Sequence, residues 1–234
     1  MWSLLEEVSE GNWKKKEHFA LFSALFKATG AVRESQVNLL ILERYNVSYL
    51  STYAEHLSEL QKKAEKLFYK EMNKFSFDRL EELNNTLFQE VKTQSNTMTM
   101  EQLLSFILVK TRKVYRLRKK LPNNRILHKI RINLKAVSEI LTITNDLNTN
   151  AVLDDFLNSI KWFNEQIGDW HDFEILLKSI KNFIKSNRQK KHLAELKRFS
   201  ARTVEWQDEK QVEIKMMLSR HLSREQQEQL KSCI

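Results

Sequence analysis

Glycine, proline and cysteine are scarce in this sequence. The 234 residues contain three Gly, one Pro and one Cys, which is Cys233. Because the tight turns of β-sheets rely on Gly and Pro, the composition favours an all-α fold. A single cysteine excludes an intrachain disulfide and a cysteine-based metal site within one chain.

Long apolar runs are also missing. No 18 apolar residues are consecutive, and residues 1–16 lack the basic start, apolar stretch and small-residue cleavage site of a signal peptide. We therefore expect a soluble, cytoplasmic protein with no membrane partner.

Apolar residues at helical spacing are abundant. The chain is 41% hydrophobic and includes thirteen Phe and five Trp, enough to bury a core. Interruptions of the pattern predict eight or nine helices, with long ones over 48–73 and 188–222. The interruptions fall near residues 30–32, 45–48, 74–78, 95–99, 121–124, 145–150, 167–170 and 185–189.

The most polar junction, residues 92–100, divides the chain into two predicted helical halves, 1–95 and 96–234. The halves look related, because residues 25–40 align with 163–178 at an offset of 138 that places Gly30 on Gly168. In each copy we expect the glycine to end a helix. Asp169 and Asp172 would then cap and begin the next helix in the second copy.

Acidic residues are absent from one long stretch. The formal net charge is +9, and residues 102–138 hold eleven Lys or Arg without a single acid. His128, Arg131 and Lys135, spaced three and four apart, share one face of a helix beside an apolar stripe from Leu127 to Leu141. The preceding helix presents a second cationic row, which consists of Lys110, Lys113, Arg116 and Lys120. Like charges at this spacing repel, so the pair of helices predicts a bound polyanion.

Two other interpretations of these residues remain open. The same patch could bind nucleic acid or an acidic protein, with Tyr115, Trp162 or Trp170 stacking on bases, although aromatic residues at helical spacing more often belong to a core. Alternatively, His171 and Asp172 could belong to a helical metal phosphohydrolase with His128 and Asp208, although Lys129 and the neighbouring arginines oppose a divalent cation. Lys178, Lys181 and Lys185 repeat the cationic spacing, but they could simply stabilise a helix C-terminus.

Three segments resemble the CHAD family, α-helical domains with a conserved histidine that bind inorganic polyphosphate. LHKIRINLK (127–135) and IKWFNEQIGDWHDFEIL (160–176) are similar to its second half, and LFKATGAVRESQV (25–37) is similar to its first. The resemblance implies two antiparallel helical bundles, related by a pseudo-twofold, with a basic groove at their junction. It places His128, Arg131 and Lys135 against phosphate and His171 or Arg33 near the groove. The full set of candidate polyphosphate-binding residues is His128, Arg131, Lys135, Arg125, Lys110, Lys113, Arg116, Lys120, His171, Arg33 and Lys178.

The sequence departs from the family pattern in two places. Ser138 and Glu139 stand where family members usually have Arg and Tyr, and the repeat partner of His128 would lie at position −10, before the first residue. If the repeat is real, we expect the first half to be an incomplete repeat without its own copy of the basic helix. We expect the apolar face of residues 14–27, left without that partner, to recruit another chain or to make the domain less stable.

The predicted function is non-enzymatic binding of polyphosphate or another polyanion, without cofactor or metal. By the resemblance, its location is the cytoplasm or polyphosphate granules. In mildly acidic buffer both ring nitrogens of His128 would donate hydrogen bonds, so we expect binding to strengthen there.

Overall fold

The computed structural model describes residues 18–44, 50–95, 100–147, 151–186, 193–222 and 228, without the side chains of 90, 91 and 93–95. The all-α prediction is confirmed, because seven α-helices and two short 3₁₀ turns account for nearly all of the described chain. The α-helices are α1 (Ser23–Arg44), α2 (Ser51–Met72), α3 (Phe77–Ser95), α4 (Met100–Leu117), α5 (Asn124–Leu147), α6 (Ala151–Ser186) and α7 (Leu193–His221). The 3₁₀ turns are Ala20–Phe22 and Arg118–Lys120. Among the described helices, none combines the length and apolarity that crossing a membrane requires.

The two predicted glycine stops are wrong. Gly30 lies inside α1 and Gly168 inside α6, and both helices continue through them. Asp169 and Asp172 are consequently interior residues of α6 rather than a cap and a first-turn acid. A glycine in a helix interior costs only about 1 kcal/mol relative to alanine, and the buried neighbours Ala28 and Trp170 offset that cost.

Two compact units make up the structure. The described residues of unit I fall in Thr86–Asp169 and Asp208–Ile234, and those of unit II in Lys16–Asn85 and Trp170–Gln207. Helices α3, α6 and α7 therefore each contribute residues to both units. The division at residue 95 that the sequence predicts stays a prediction, because the contact-based units do not follow chain order.

Each unit has its own apolar core. In unit II, Tyr53 and Leu57 of α2 belong to a buried cluster that includes Leu176 and Ile180 of α6. In unit I, α4 and α5 pack against each other. The completely buried side chains of unit I include Ile160, Phe163 and Ile167 of α6 and Ile214 and Leu218 of α7, each 0% exposed.

Candidate functional site

The apolar stripe predicted for α5 is confirmed. Leu127, Ile130, Leu134, Val137 and Leu141 are each 0% exposed. They recur every three or four residues, so they form one continuous buried face along the helix. This face fixes the rotation of α5 about its axis, and it thereby decides which way the cations of the helix point.

The cations of α5 occupy the remaining faces. Arg125, His128 and Lys135 are exposed, while Arg131 is half-buried at the border of the apolar stripe. At about 100° per residue, His128, Arg131 and Lys135 lie within about 60° of one another around the axis. The structure therefore supports their predicted common face.

Helix α4 continues the cationic surface. Its buried face runs from Leu103 to Val114, and Lys113 and Arg116 are exposed on the other side. Lys110 is half-buried at the border, with its Nζ 4.5 Å from the ring centroid of Phe106. Lys120 lies in the 3₁₀ turn after α4, so the regular spacing of the predicted row ends at Arg116.

We call residues 100–147, comprising α4, the 3₁₀ turn and α5, the basic helix pair. Eight of its eleven cations are exposed and three are half-buried. The exposed ones are Arg112, Lys113, Arg116, Lys119, Lys120, Arg125, Lys129 and Lys135; the half-buried ones are Lys110, Arg118 and Arg131. Exposure of this many like charges without an acid in the run produces a local positive potential.

The connection between the two helices is held in place by several hydrogen bonds. Asn123 caps α5, since its Oδ1 accepts from the backbone N–H of Ile126 at 3.1 Å. From α7, Lys215 Nζ donates to the Leu121 carbonyl at 3.0 Å, and Gln211 Nε2 donates to Asn124 Oδ1 at 2.9 Å. These contacts order the corner at which the two cationic rows meet.

One cation of the corner has a structural role. The Arg118 guanidinium lies 3.7 Å from the ring centroid of Tyr115 and donates to the Tyr115 carbonyl at 3.2 Å. This stacking places Arg118 along the surface of its own helix. Tyr115 is therefore covered on one face by Arg118, which weakens its case as a base-stacking residue.

Three of the predicted site residues belong to unit II rather than unit I. Arg33 is exposed on α1. His171 is half-buried on α6, and its Nδ1 is 3.2 Å from Glu174 Oε2. Lys178 is exposed further along α6 and lines a cavity described below. The other eight candidates all lie in unit I, and each unit is considered by itself.

The predicted aromatic stackers have different environments. Trp170 of unit II is 0% exposed, which favours the alternative that it is a core residue over base stacking. Trp162 is half-buried and meets Phe163 edge-on at a centroid distance of 5.1 Å. Trp170 therefore has no open ring face for stacking on a base.

The residues of the possible metal site are distributed over both units. His128 and Asp208 belong to unit I, and His171 and Asp172 to unit II. Within the described part of the chain, no three His, Cys, Asp or Glu side chains form a group that could hold a metal ion.

A polar cavity in unit II escaped the sequence analysis. Its volume is about 380 Å³, and it opens to the surface between α1, α2 and the 170–186 part of α6, which line it. Asn38, which is 3% exposed, lines it, and no protein group in the described chain donates to the Asn38 Oδ1. One signal could have revealed it: Ser-x-x-Asn occurs at both Ser35–Asn38 and Ser179–Asn182.

The chain matches no protein-family model, no curated protein sequence and no solved structure.

Proposed function

We propose that the protein binds inorganic polyphosphate along the basic helix pair, without chemical turnover. The observation that carries this proposal is the exposure of eight cations along an acid-free run of 37 residues. A linear polyanion can follow two adjacent helices and meet several of these cations in succession. A single small phosphate could neutralise only a few of them.

Binding rests on charge-assisted hydrogen bonds. The guanidinium groups of Arg116 and Arg125 each donate through a planar fork that matches phosphate oxygens. Lysine ammonium groups, such as those of Lys113 and Lys135, add mobile point charges. Because the packing of α4 on α5 and the hydrogen-bonded corner hold both helices in place, binding requires reorganisation of the cationic side chains but not of the helices.

The resemblance to the CHAD family motivates polyphosphate as the polymer. The finer architecture that goes with it is a pair of bundles related by a pseudo-twofold, with the basic groove at their junction. The cytoplasm or polyphosphate granules are the proposed location. Self-association through residues 14–27 is part of the same proposal; residues 14–17 lie outside the described chain, and Phe26 is 64% exposed.

The test is the salt dependence of binding to long-chain polyphosphate. If roughly six phosphates are neutralised, the log-log slope of affinity against salt should be about −4, by analogy with single-stranded nucleic acid. Removing four exposed cations in the variant Lys113→Gln, Arg116→Gln, Arg125→Gln, Lys135→Gln should reduce the slope to about −1.

A matched control removes the same charge elsewhere. Lys62, Lys63, Lys66 and Lys70 are exposed on α2, where acidic residues are interspersed. The four Lys→Gln changes there give the same net charge, so polyphosphate affinity should stay within about threefold of the parent chain. Equal weakening by both variants would contradict a localised site.

Charge-matched single-stranded RNA serves as a competitor. Polyphosphate has no bases to stack or recognise, so a polyphosphate site should discriminate against RNA. Equal competition would favour nucleic-acid binding by the same surface instead. Release of orthophosphate from the polymer by the purified protein would contradict a non-enzymatic role.

A further inference from the structure

The outward side of α5 carries an apolar residue among basic ones. Ile132 is 55% exposed, on the side of the helix away from the buried stripe. At about 100° per residue, four basic residues lie within about 60° of Ile132 around the helix axis. All four are exposed; they are Arg125, His128, Lys129 and Lys135. We call these five residues the basic face of α5.

The outward side of α7 in unit I has a similar arrangement with acids. Val212 is 50% exposed and Met216 is 53% exposed. Asp208 and Glu209 precede Val212 by four and three residues, which is the spacing at which two basic residues precede Ile132. Both acids are exposed, and neither forms an ion pair with a described residue. We call Asp208, Glu209, Val212 and Met216 the acidic face of α7.

The inner side of α7 is already occupied within unit I. Gln211 and Lys215 donate hydrogen bonds to the corner before α5, and Ile214 is 0% exposed. Because Ile132 and Val212 are both exposed, the basic and acidic faces do not cover each other within one chain. A second copy of the chain can bring them together.

We propose that the protein self-associates by docking the acidic face of α7 of one copy on the basic face of α5 of another. Helix packing then brings Val212 against Ile132, and it pairs the acids with cations. Basic residues lie on both sides of Ile132 along the helix. Glu209 therefore approaches Lys129 if the helices run parallel and Lys135 if they run antiparallel.

This association is weak and depends on salt. Each contact joins few apolar side chains, and a small interface binds weakly. Two copies can make the contact twice, since each copy carries both faces. The proposal goes beyond polyphosphate binding and does not depend on it. The two share the cations of α5, so polyphosphate and the second copy compete.

Sedimentation velocity of the full chain tests the self-association. At roughly 100 μM protein and about 50 mM sodium chloride we expect a reversible assembly larger than the monomer. In about 500 mM salt its affinity should fall at least about tenfold, because the paired charges are exposed in the free chain and screened. A monomer at low salt would overturn the proposal. Association that salt leaves unchanged would also overturn it, since an apolar contact through residues 14–27 would behave in that way.

A charge swap identifies the two faces. Lys129→Glu, Lys135→Glu makes the basic face negative, and Asp208→Lys, Glu209→Lys makes the acidic face positive. Each double variant alone should be monomeric, because its two faces then have the same sign. An equimolar mixture of the two variants should associate, because each supplies the complement of the other. All four residues are exposed, so the variants should keep the parent circular-dichroism spectrum. Association of either variant alone, or a mixture that stays monomeric, would overturn the proposal.

A matched control changes two acids elsewhere. Asp78 and Glu81 are exposed on α3, and Asp78→Lys, Glu81→Lys gives the same net charge as Asp208→Lys, Glu209→Lys. This control should self-associate within about twofold of the parent chain. Equal loss in both variants would mean that net charge alone prevents association, and the assignment to α7 would be wrong.

Polyphosphate separates this proposal from the previous one. Where it binds, saturating polyphosphate should dissociate the parent assembly, and the variant Asp208→Lys, Glu209→Lys should still bind it. An assembly that persists with polyphosphate bound along α5 would overturn the basic face as the docking surface. The charge-swap mixture contains no polyphosphate, so it decides the self-association even if the polyphosphate proposal fails.

Discussion

Two helix pairs of this protein are built alike and charged differently. In the pair α1–α2 and in the basic helix pair, six residues connect two helices that pack on each other, at 45–50 and 118–123. Helices α1 and α2 carry seven Lys or Arg and six Glu, whereas residues 102–138 of the basic pair carry eleven Lys or Arg and no acid. Since both pairs pack, one with acids interspersed and the other without them over 102–138, packing alone does not require the acid-free run. This difference supports a role for the run in binding.

The largest expected effect on stability concerns the buried leucines that both helix pairs contain. Leu134 in the basic pair is 0% exposed and Leu57 in α2 is 1% exposed. Leu134→Ala and Leu57→Ala should each lower the free energy of unfolding by about 2–5 kcal/mol, because each removes buried methyl groups and leaves a cavity. Urea unfolding followed by circular dichroism measures both.

An exposed leucine provides the control for these two variants. Leu40 of α1 is 61% exposed, so Leu40→Ala should change the free energy of unfolding by less than about 0.5 kcal/mol. A similarly small effect for Leu134→Ala would mean that the buried face of α5 does not stabilise the basic helix pair. The two helix pairs would then not be stabilised in the same way.

The second expected effect, a loss of stability at high pH, concerns a buried tyrosine in the pair α1–α2. Burial raises the pKa of Tyr53 in α2 to about 12, and the nearby Ser179 hydroxyl offsets part of this rise although Tyr53 Oη makes no hydrogen bond of ordinary geometry. The unfolded chain has a tyrosine pKa of about 10, so the unfolded state ionises first as pH rises. The contribution of the neutral tyrosine to stability is therefore complete well below pH 10, and roughly 2–3 kcal/mol should be lost as the pH rises from about 10 to beyond 12.

The variant Tyr53→Phe isolates this contribution. Because lysines titrate in the same range, the measured quantity is the difference in free energy of unfolding between the parent chain and Tyr53→Phe at each pH. The difference should be flat below pH 10 and shift in favour of the variant above it. An unchanged difference up to pH 12 would show that Tyr53 is not buried as described.

Much of the basic pair could be predicted from sequence alone. The buried stripe of α5 follows from apolar spacing, and the corner follows from Pro122 and from Asn123 as a helix cap. Both signals are local. The hydrogen bond from Gln211 to Asn124 joins residues 87 positions apart, and that from Lys215 to Leu121 joins residues 94 positions apart, so no local pattern predicts either one. The cavity around Asn38 escaped for the same reason, because three separate helices build it.

The prediction that Gly30 and Gly168 end helices was wrong because tertiary packing outweighs the local preference of glycine. A glycine ends a helix by adopting the left-handed conformation, but at Gly30 and Gly168 burial of the flanking turns maintains the helix. A methyl group added at Gly30 would meet nothing within 4 Å. Conformational freedom is therefore not needed there, and the glycine only weakens α1.

The third expected effect is a gain in stability on replacing Gly30, which lies inside α1. The basic helix pair contains no glycine, so the change applies to the pair α1–α2 alone. Gly30→Ala should raise the free energy of unfolding by about 0.5–1 kcal/mol, because alanine has less freedom to lose in a helix. Thermal unfolding measures the gain. A loss of stability would instead indicate a left-handed glycine that ends the helix, as the repeat pattern suggested.

The smallest effect tests the charge difference itself. Lys113 has Lys110 three residues before it and Arg116 three residues after it, whereas Lys62 of α2 has Glu59 and Glu65 at the same distances. Lys113→Glu replaces two repulsive pairs with attractive ones and should stabilise the chain by about 0.5 kcal/mol. Lys62→Glu creates two repulsive pairs, partly offset by attraction to Lys66, and should destabilise it by about the same amount.

Both changes should shrink in 1 M salt, because the charges involved are exposed and screened. Urea unfolding at low and high sodium chloride measures them. The same Lys113→Glu variant should bind polyphosphate more weakly, so the substitution that improves stability should impair binding. Destabilisation by Lys113→Glu would mean that the cations of the basic pair do not repel one another. The acid-free run would then carry no cost to stability, and the main physical reason for assigning it a polyanion would be lost.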